Sequence, residues 1–147
     1  MATQTSPDHS LTTTGMGLTE GRHYWEVEIV QGGFYAGVSR PDLDPKARNY
    51  TKNNIDGCFM STYNGTLWGN GKWNDEEAGY YNNGDTVGVL LDLDEGSLLF
   101  FKNGIQHGPG YPAGSLTAPM APAVHIRQEG PCAKLIGGVA WPVGHLL

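Results

Sequence analysis

The chain has few cysteines, few cations and no long apolar run, and each shortage removes a class of protein. Only 2 cysteines, Cys58 and Cys132, occur in 147 residues, too few for a disulfide-built scaffold, and neither has Cys or His neighbours at metal-ligand spacing. Spacing alone leaves a bridge between them open; because each lies in a strand-like stretch, a pair of buried free thiols is expected. Lys and Arg number 9 against 15 Asp and Glu, giving a net charge of −6, and the cations are scattered. Nucleic acid and anionic membrane surfaces both need a basic footprint, so neither is expected as a partner. No apolar run approaches membrane-spanning length, and the polar opening segment, residues 1–10, lacks the apolar core of a secretory signal. An intracellular, cytoplasmic location follows as the expectation. The 5 histidines are dispersed with no pair at ligand spacing, so neither a metal nor another cofactor is expected.

A sustained helical period is also missing, and what replaces it is a series of short apolar runs broken by turns. Gly 22 and Pro 9 punctuate those runs instead of forming tracts, which is an all-β signature, and the length suits one domain with a real core. The densest stretch is 85–104. Val87, Val89, Leu91 and Leu93 share one face at period two, Leu98 and Phe100 line a face of the returning run, and Asp94-Glu95-Gly96 supplies the reversal. Leu90, Leu99 and Phe101 fall on the opposite faces, so this hairpin is apolar on both sides and belongs in the middle of a sheet. Trp25, Val27 and Ile29 alternate with Tyr24, Glu26 and Glu28, predicting a strand with one core face and one wet face. Further strands are predicted at 11–14, 34–39, 58–62, 66–69, 105–107, 120–127 and 132–136, with a hairpin turn at Asn64-Gly65. Residues 40–57 and 70–84 have no apolar period and read as surface loops. The domain is therefore placed at 11–141, between a flexible segment 1–10 and a tail 142–147.

Taken together, Gly21 through Ile29, Gly37-Val38-Ser39, the ordered run from Asp85 to Gly104 and Tyr111-Pro112-Ala113-Gly114 resemble the SPRY domain family. The resemblance implies a bent β-sandwich of two antiparallel sheets, a concanavalin-like jelly roll, that binds a partner protein or peptide through loops at one end. It implies no catalysis, and it suggests the recognition part of a larger protein such as a ubiquitin ligase. In members that carry a SOCS box, a pocket for a short Asn-containing peptide uses a loop tyrosine and a Val-Trp-Gly turn. Tyr50, in Asn49-Tyr50-Thr51, falls where that tyrosine would; Gln128-Glu129-Gly130 stands in place of the Val-Trp-Gly turn, so that peptide specificity does not carry over.

The binding residues expected are Arg40, Arg48, Tyr50 and Thr51 on the first long loop, with Arg127, Gln128 and Glu129 on the turn 127–131. Tyrosine offers rigid area and arginine planar donors, and loops held by a rigid scaffold commonly carry function. The competing reading is a carbohydrate-binding or carbohydrate-active sandwich. Glu26 and Glu28 at i and i+2 share a strand face about 7 Å apart, where retaining glycosidases hold their carboxyl groups about 5–5.5 Å apart. Glutamates alternating with core residues also describe the wet face of any strand, and catalysis is not expected. Asp92, Asp94 and Glu95 do not continue into a calcium-loop spacing and read as turn chemistry.

Overall fold

The computed structural model describes residues 2–3, 10–13, 17–41, 57–69, 72–74, 77–126 and 132–136. Every regular element among them is a strand: β1 (Ala2–Thr3), β2 (Ser10–Thr13), β3 (Arg22–Gln31), β4 (Tyr35–Ser39), β5 (Gly57–Ser61), β6 (Leu67–Gly69), β7 (Lys72–Asn74), β8 (Thr86–Asp92), β9 (Ser97–Lys102), β10 (Ile105–Gln106), β11 (Ala121–Ile126) and β12 (Cys132–Ile136). They form two antiparallel six-stranded sheets, ordered β1-β12-β3-β8-β9-β10 and β2-β11-β4-β5-β6-β7. No helix among the described residues is long and apolar enough to cross a membrane.

The expected hairpin is the middle of the first sheet, with β8 flanked by β3 and β9. Its register pairs Val89 with Phe100 and Leu91 with Leu98, and none of these four side chains has exposed surface. They meet Ala36, Val38, Cys58, Met60, Val124 and Ile126 from the second sheet in one continuous apolar cluster. The reversal is Leu93-Asp94-Glu95-Gly96, one residue longer than expected, with Gly96 at φ 77°. Asp92 Oδ1 accepts the backbone N–H groups of Asp94 and Glu95, both at 3.0 Å, and its Oδ2 takes Arg22 Nε at 3.0 Å. The Asp92 carboxylate therefore does turn chemistry, as expected. Cys58 is a free buried thiol inside the apolar cluster.

Three further details differ from the sequence reading. Ala2–Thr3, within the segment read as weakly tied down, pairs with 132–133 as an edge strand. The supposed loop 70–84 contains β7, which pairs Trp73 with Trp68. Finally, the outer face of β3 is not uniformly wet, for Tyr24 is only 8 % exposed and meets Phe101 edge-on at 5.8 Å. Gly88 makes room for it: a Cβ there would lie 2.3 Å from the Tyr24 hydroxyl.

The outer face of the second sheet carries its own aromatic layer. Tyr35, Phe59 and Ala123 are buried there with Trp68 packed on them, and His125 meets Tyr35 at 5.7 Å and Phe59 at 6.1 Å. Chain proximity sets the spacing of these strands. A Cβ at Gly37 would stand 1.9 Å from the Cys58 carbonyl oxygen, so β4 and β5 approach as closely as they do because position 37 has no side chain.

Candidate functional site

The strands deliver their connections to two ends, and the ends differ in chemistry. At one end lie the β8–β9 turn, residues 20–21, 114–119 and Arg40. There Asp94 Oδ1 accepts the Gly21 N–H, and the backbone N–H of Gly114 donates to Glu95 O. Arg40 is bound into this end as a clasp, since Nη1 donates to the carbonyls of Thr117 at 2.8 Å and Pro119 at 3.0 Å, and Nη2 to Thr117 Oγ1 at 3.2 Å. No large apolar side chain stands exposed among the described residues here.

At the other end lie the β3–β4 turn, the β5–β6 turn, the segment 78–85 and the β9–β10 turn. Tyr81 N–H donates to Thr62 O and Gly79 N–H to Asn64 O, so 79–81 lines up beside the β5–β6 turn. Gly84 N–H donates to Ile29 O and Asn103 N–H to Thr86 O, which joins this segment to β3 and to the β9–β10 turn. Asn103, at φ 51°, and Gly104, at φ 85°, have the paired left-handed conformation of a tight hairpin turn.

Gly32, Gly33, Thr62, Tyr63, Tyr81, Asn82 and Asn83 line a shallow groove of about 530 Å³ at this end. Tyr63 forms one wall, donating its hydroxyl proton to Gly33 O at 2.9 Å. Its ring lies so close that a Cβ on Gly33 would fall 2.5 Å from it. Asn83 Oδ1 accepts the Gly32 N–H at 3.1 Å, and Thr62 Oγ1 accepts Phe34 N–H and donates to Phe34 O, both at 2.9 Å. Tyr81 forms the buried floor; its hydroxyl donates to Phe101 O at 3.1 Å, and burial pushes that phenol far above its ordinary range.

One charge cluster borders the groove. Asp85 accepts Asn82 N–H at 2.8 Å and Asn103 Nδ2 at 3.0 Å, and Lys102 Nζ lies 3.9 Å away. The Asn103 bond, then the Asn82 bond, hold the Asp85 carboxyl below its usual value against the opposing effect of burial, with Lys102 the least of the contributions. Lys102 also donates to Tyr80 O at 3.0 Å, with Nζ 5.5 and 5.8 Å from the Tyr80 and Tyr81 ring centres.

Of the binding residues expected from sequence, only Arg40 lies within the described residues; Arg48, Tyr50, Thr51, Arg127, Gln128 and Glu129 lie outside them. Their points of attachment are described. The loop 40–56 leaves from Ser39 and returns at Gly57, which are register partners at the Arg40 end. The turn 127–131 joins Ile126 to Cys132, whose register partner Gln31 precedes the groove glycine Gly32. The two expected segments thus depart from opposite ends of the sandwich. Glu26 and Glu28 are half-buried on the outer face of β3, where Glu26 accepts the Tyr24 hydroxyl at 2.9 Å and Glu28 faces Thr86 and Lys134 in register. Among the described residues no three His, Cys, Asp or Glu side chains converge as a metal would require. In the sequence the groove residues read only as the end of the strand 58–62 and as parts of separate polar turns, with nothing to mark them as one site.

Two antiparallel sheets enclosing one core and presenting a neutral groove between turns define a sandwich scaffold of the loop-presenting kind. The chain belongs to the SPRY domain family, whose model matches residues 22–138. SPRY domains are protein–protein interaction modules and are generally non-catalytic. The fold is similar to the crystal structure of the SPRY domain of human HERC1, with a TM-score of 0.77, 24 % identity, and coverage of 90 % of this chain and 85 % of that one. It is also similar to a second human SPRY domain, with a TM-score of 0.69, 22 % identity, and coverage of 90 % and 86 %.

Proposed function

We propose that this domain recognises a partner protein or peptide through the end that carries the groove, as the recognition part of a larger assembly of which a ubiquitin ligase is one case. One observation carries this reading. The large apolar side chains that stand exposed among the described residues are Val30, Tyr63, Tyr80 and Ile105, at 42, 44, 61 and 72 %, and all four belong to that end. Exposed apolar groups confined to the end that carries the groove, among polar turns, are what a binding surface needs, whereas ones scattered over both ends would carry no meaning. Arg127, Gln128 and Glu129 join this surface in the proposal, because their turn starts and finishes there. Arg40, Arg48, Tyr50 and Thr51 form the alternative surface at the other end.

Affinity capture of partners with three forms of the domain distinguishes these ends. The triple variant Val30→Ser, Tyr80→Ser, Ile105→Ser is expected to lose captured proteins that both the wild type and an Arg48→Ala, Tyr50→Ala variant retain. All three forms should unfold at similar temperatures, since the first set is exposed. If the triple variant retains its partners and the double variant loses them, recognition belongs to the loop 40–56.

A further inference from the structure

The groove has no carboxylate, imidazole, ammonium or guanidinium group in its lining, and the hydrogen-bonding capacity it leaves over is mainly that of side-chain amides. The Tyr63 hydroxyl proton goes to Gly33 O, the Tyr81 proton to Phe101 O and the Thr62 proton to Phe34 O. Because Asn83 Oδ1 receives a backbone N–H, its NH₂ group is the part turned away from Gly32. That NH₂ group and the exposed Asn82 carboxamide make no hydrogen bond among the described residues. The charges next door are already matched to one another, Asp85 by Asn103, Asn82 and Lys102, and Lys102 by the Tyr80 carbonyl. An ion-paired ligand therefore finds no counter-charge here.

We propose that the groove takes an extended proline-rich segment of the partner, a proposal that rests on reading this end as the recognition end. A polyproline II segment presents carbonyl oxygens without internal hydrogen bonds, and proline has no N–H to offer, so its complement is a set of donors such as the Asn82 and Asn83 amides. Its ring faces pack on aromatic side chains, supplied by the Tyr63 wall and the Tyr81 floor. Being already extended, such a segment loses little freedom on binding, which suits a shallow groove.

The test is a random peptide library displayed on phage, selected against the whole chain, with the binding site of each enriched peptide mapped by amide chemical shifts. The expected result is enrichment of proline-rich sequences that shift Gly32, Gly33, Tyr63, Asn82 and Asn83. Asn82→Ala removes an exposed side chain and keeps the backbone N–H bonded to Asp85, so the fold survives; it should weaken such peptides about tenfold, roughly 1.4 kcal/mol. Peptides without proline that shift the same residues, or an oligosaccharide panel that does so, would overturn the ligand class and leave the recognition end in place. A library with no enriched peptide would overturn the proline-rich ligand, and peptides that shift only residues near Arg40 and Thr117 would overturn both readings.

Discussion

Phe100 and Gly37 show two ways in which one residue holds this fold. Phe100 has no exposed surface and sits opposite Val89 in the central hairpin, within the cluster shared by both sheets. Phe100→Ala removes its contacts and leaves a cavity that rigid strands on either side fill poorly, so the expected loss is about 3–5 kcal/mol in urea unfolding at unchanged m-value. Gly37 contributes through absence. With a Cβ 1.9 Å from the Cys58 carbonyl, the alanine form must push β5 away from β4 and weaken their ladder. Gly37→Ala is expected to cost about 3 kcal/mol, the upper part of the range for overpacking, because backbone and not a flexible side chain stands in the way. A loss below about 0.5 kcal/mol by the same measurement would show that the strands separate freely.

At the scale of elements, the central hairpin was legible except for one residue of its turn, because period two, the turn residues Asp94-Glu95-Gly96 and β-rich composition all agree there. Its flanking strand β3 was legible on the core face only; that Tyr24 is buried follows from Gly88 two strand positions away, a pairing that no local pattern announces. β7 was missed because Trp73 is its sole large apolar residue, although Asn70-Gly71 between Trp68 and Trp73 is a hairpin signal in the sequence. The groove was hidden for a related reason. Its lining comes from three turns far apart in the chain, and glycine, tyrosine and asparagine are what any loop contains. Asp85 ties the turn 81–83 to the β9–β10 end of the hairpin through Asn82 and Asn103, and this connection has a pH signature. Its folded carboxyl titrates below the ordinary value of 3.8, so the unfolded chain takes up the proton first as pH falls. The stability it contributes is present above about pH 5 and is lost as pH drops through 3.8 and below. Asp85→Asn should therefore flatten the acid limb of a plot of unfolding midpoint against pH, and an unchanged slope would assign that limb to other carboxylates.

For the molecule as a whole, the thiol of Cys58 reports whether the two sheets stay together. It lies inside the shared core at 1 % exposure, and burial, partly offset by Arg40, pushes its pKa up to about 12 from 9.0. A thiol that is both covered and protonated should not react with an aromatic disulfide reagent near pH 8 while the sandwich is closed. In a Cys132→Ala background, labelling is expected to appear only across the denaturant range in which the β-sheet signal is lost. Fast labelling in native buffer would mean that the sheets part locally at far lower cost than global unfolding. The raised pKa also fixes the sign of the alkaline response. The folded state binds this proton more tightly, so the stability is complete below pH 9.0 and declines as pH rises toward 12. The Tyr81 and Tyr111 phenols, raised by burial in the same way, add their own decline above their ordinary value of 10.0. Comparing the alkaline slopes of Cys58→Ala and the parent isolates the thiol's share, and the early part of the decline, before the phenols titrate, should disappear with it.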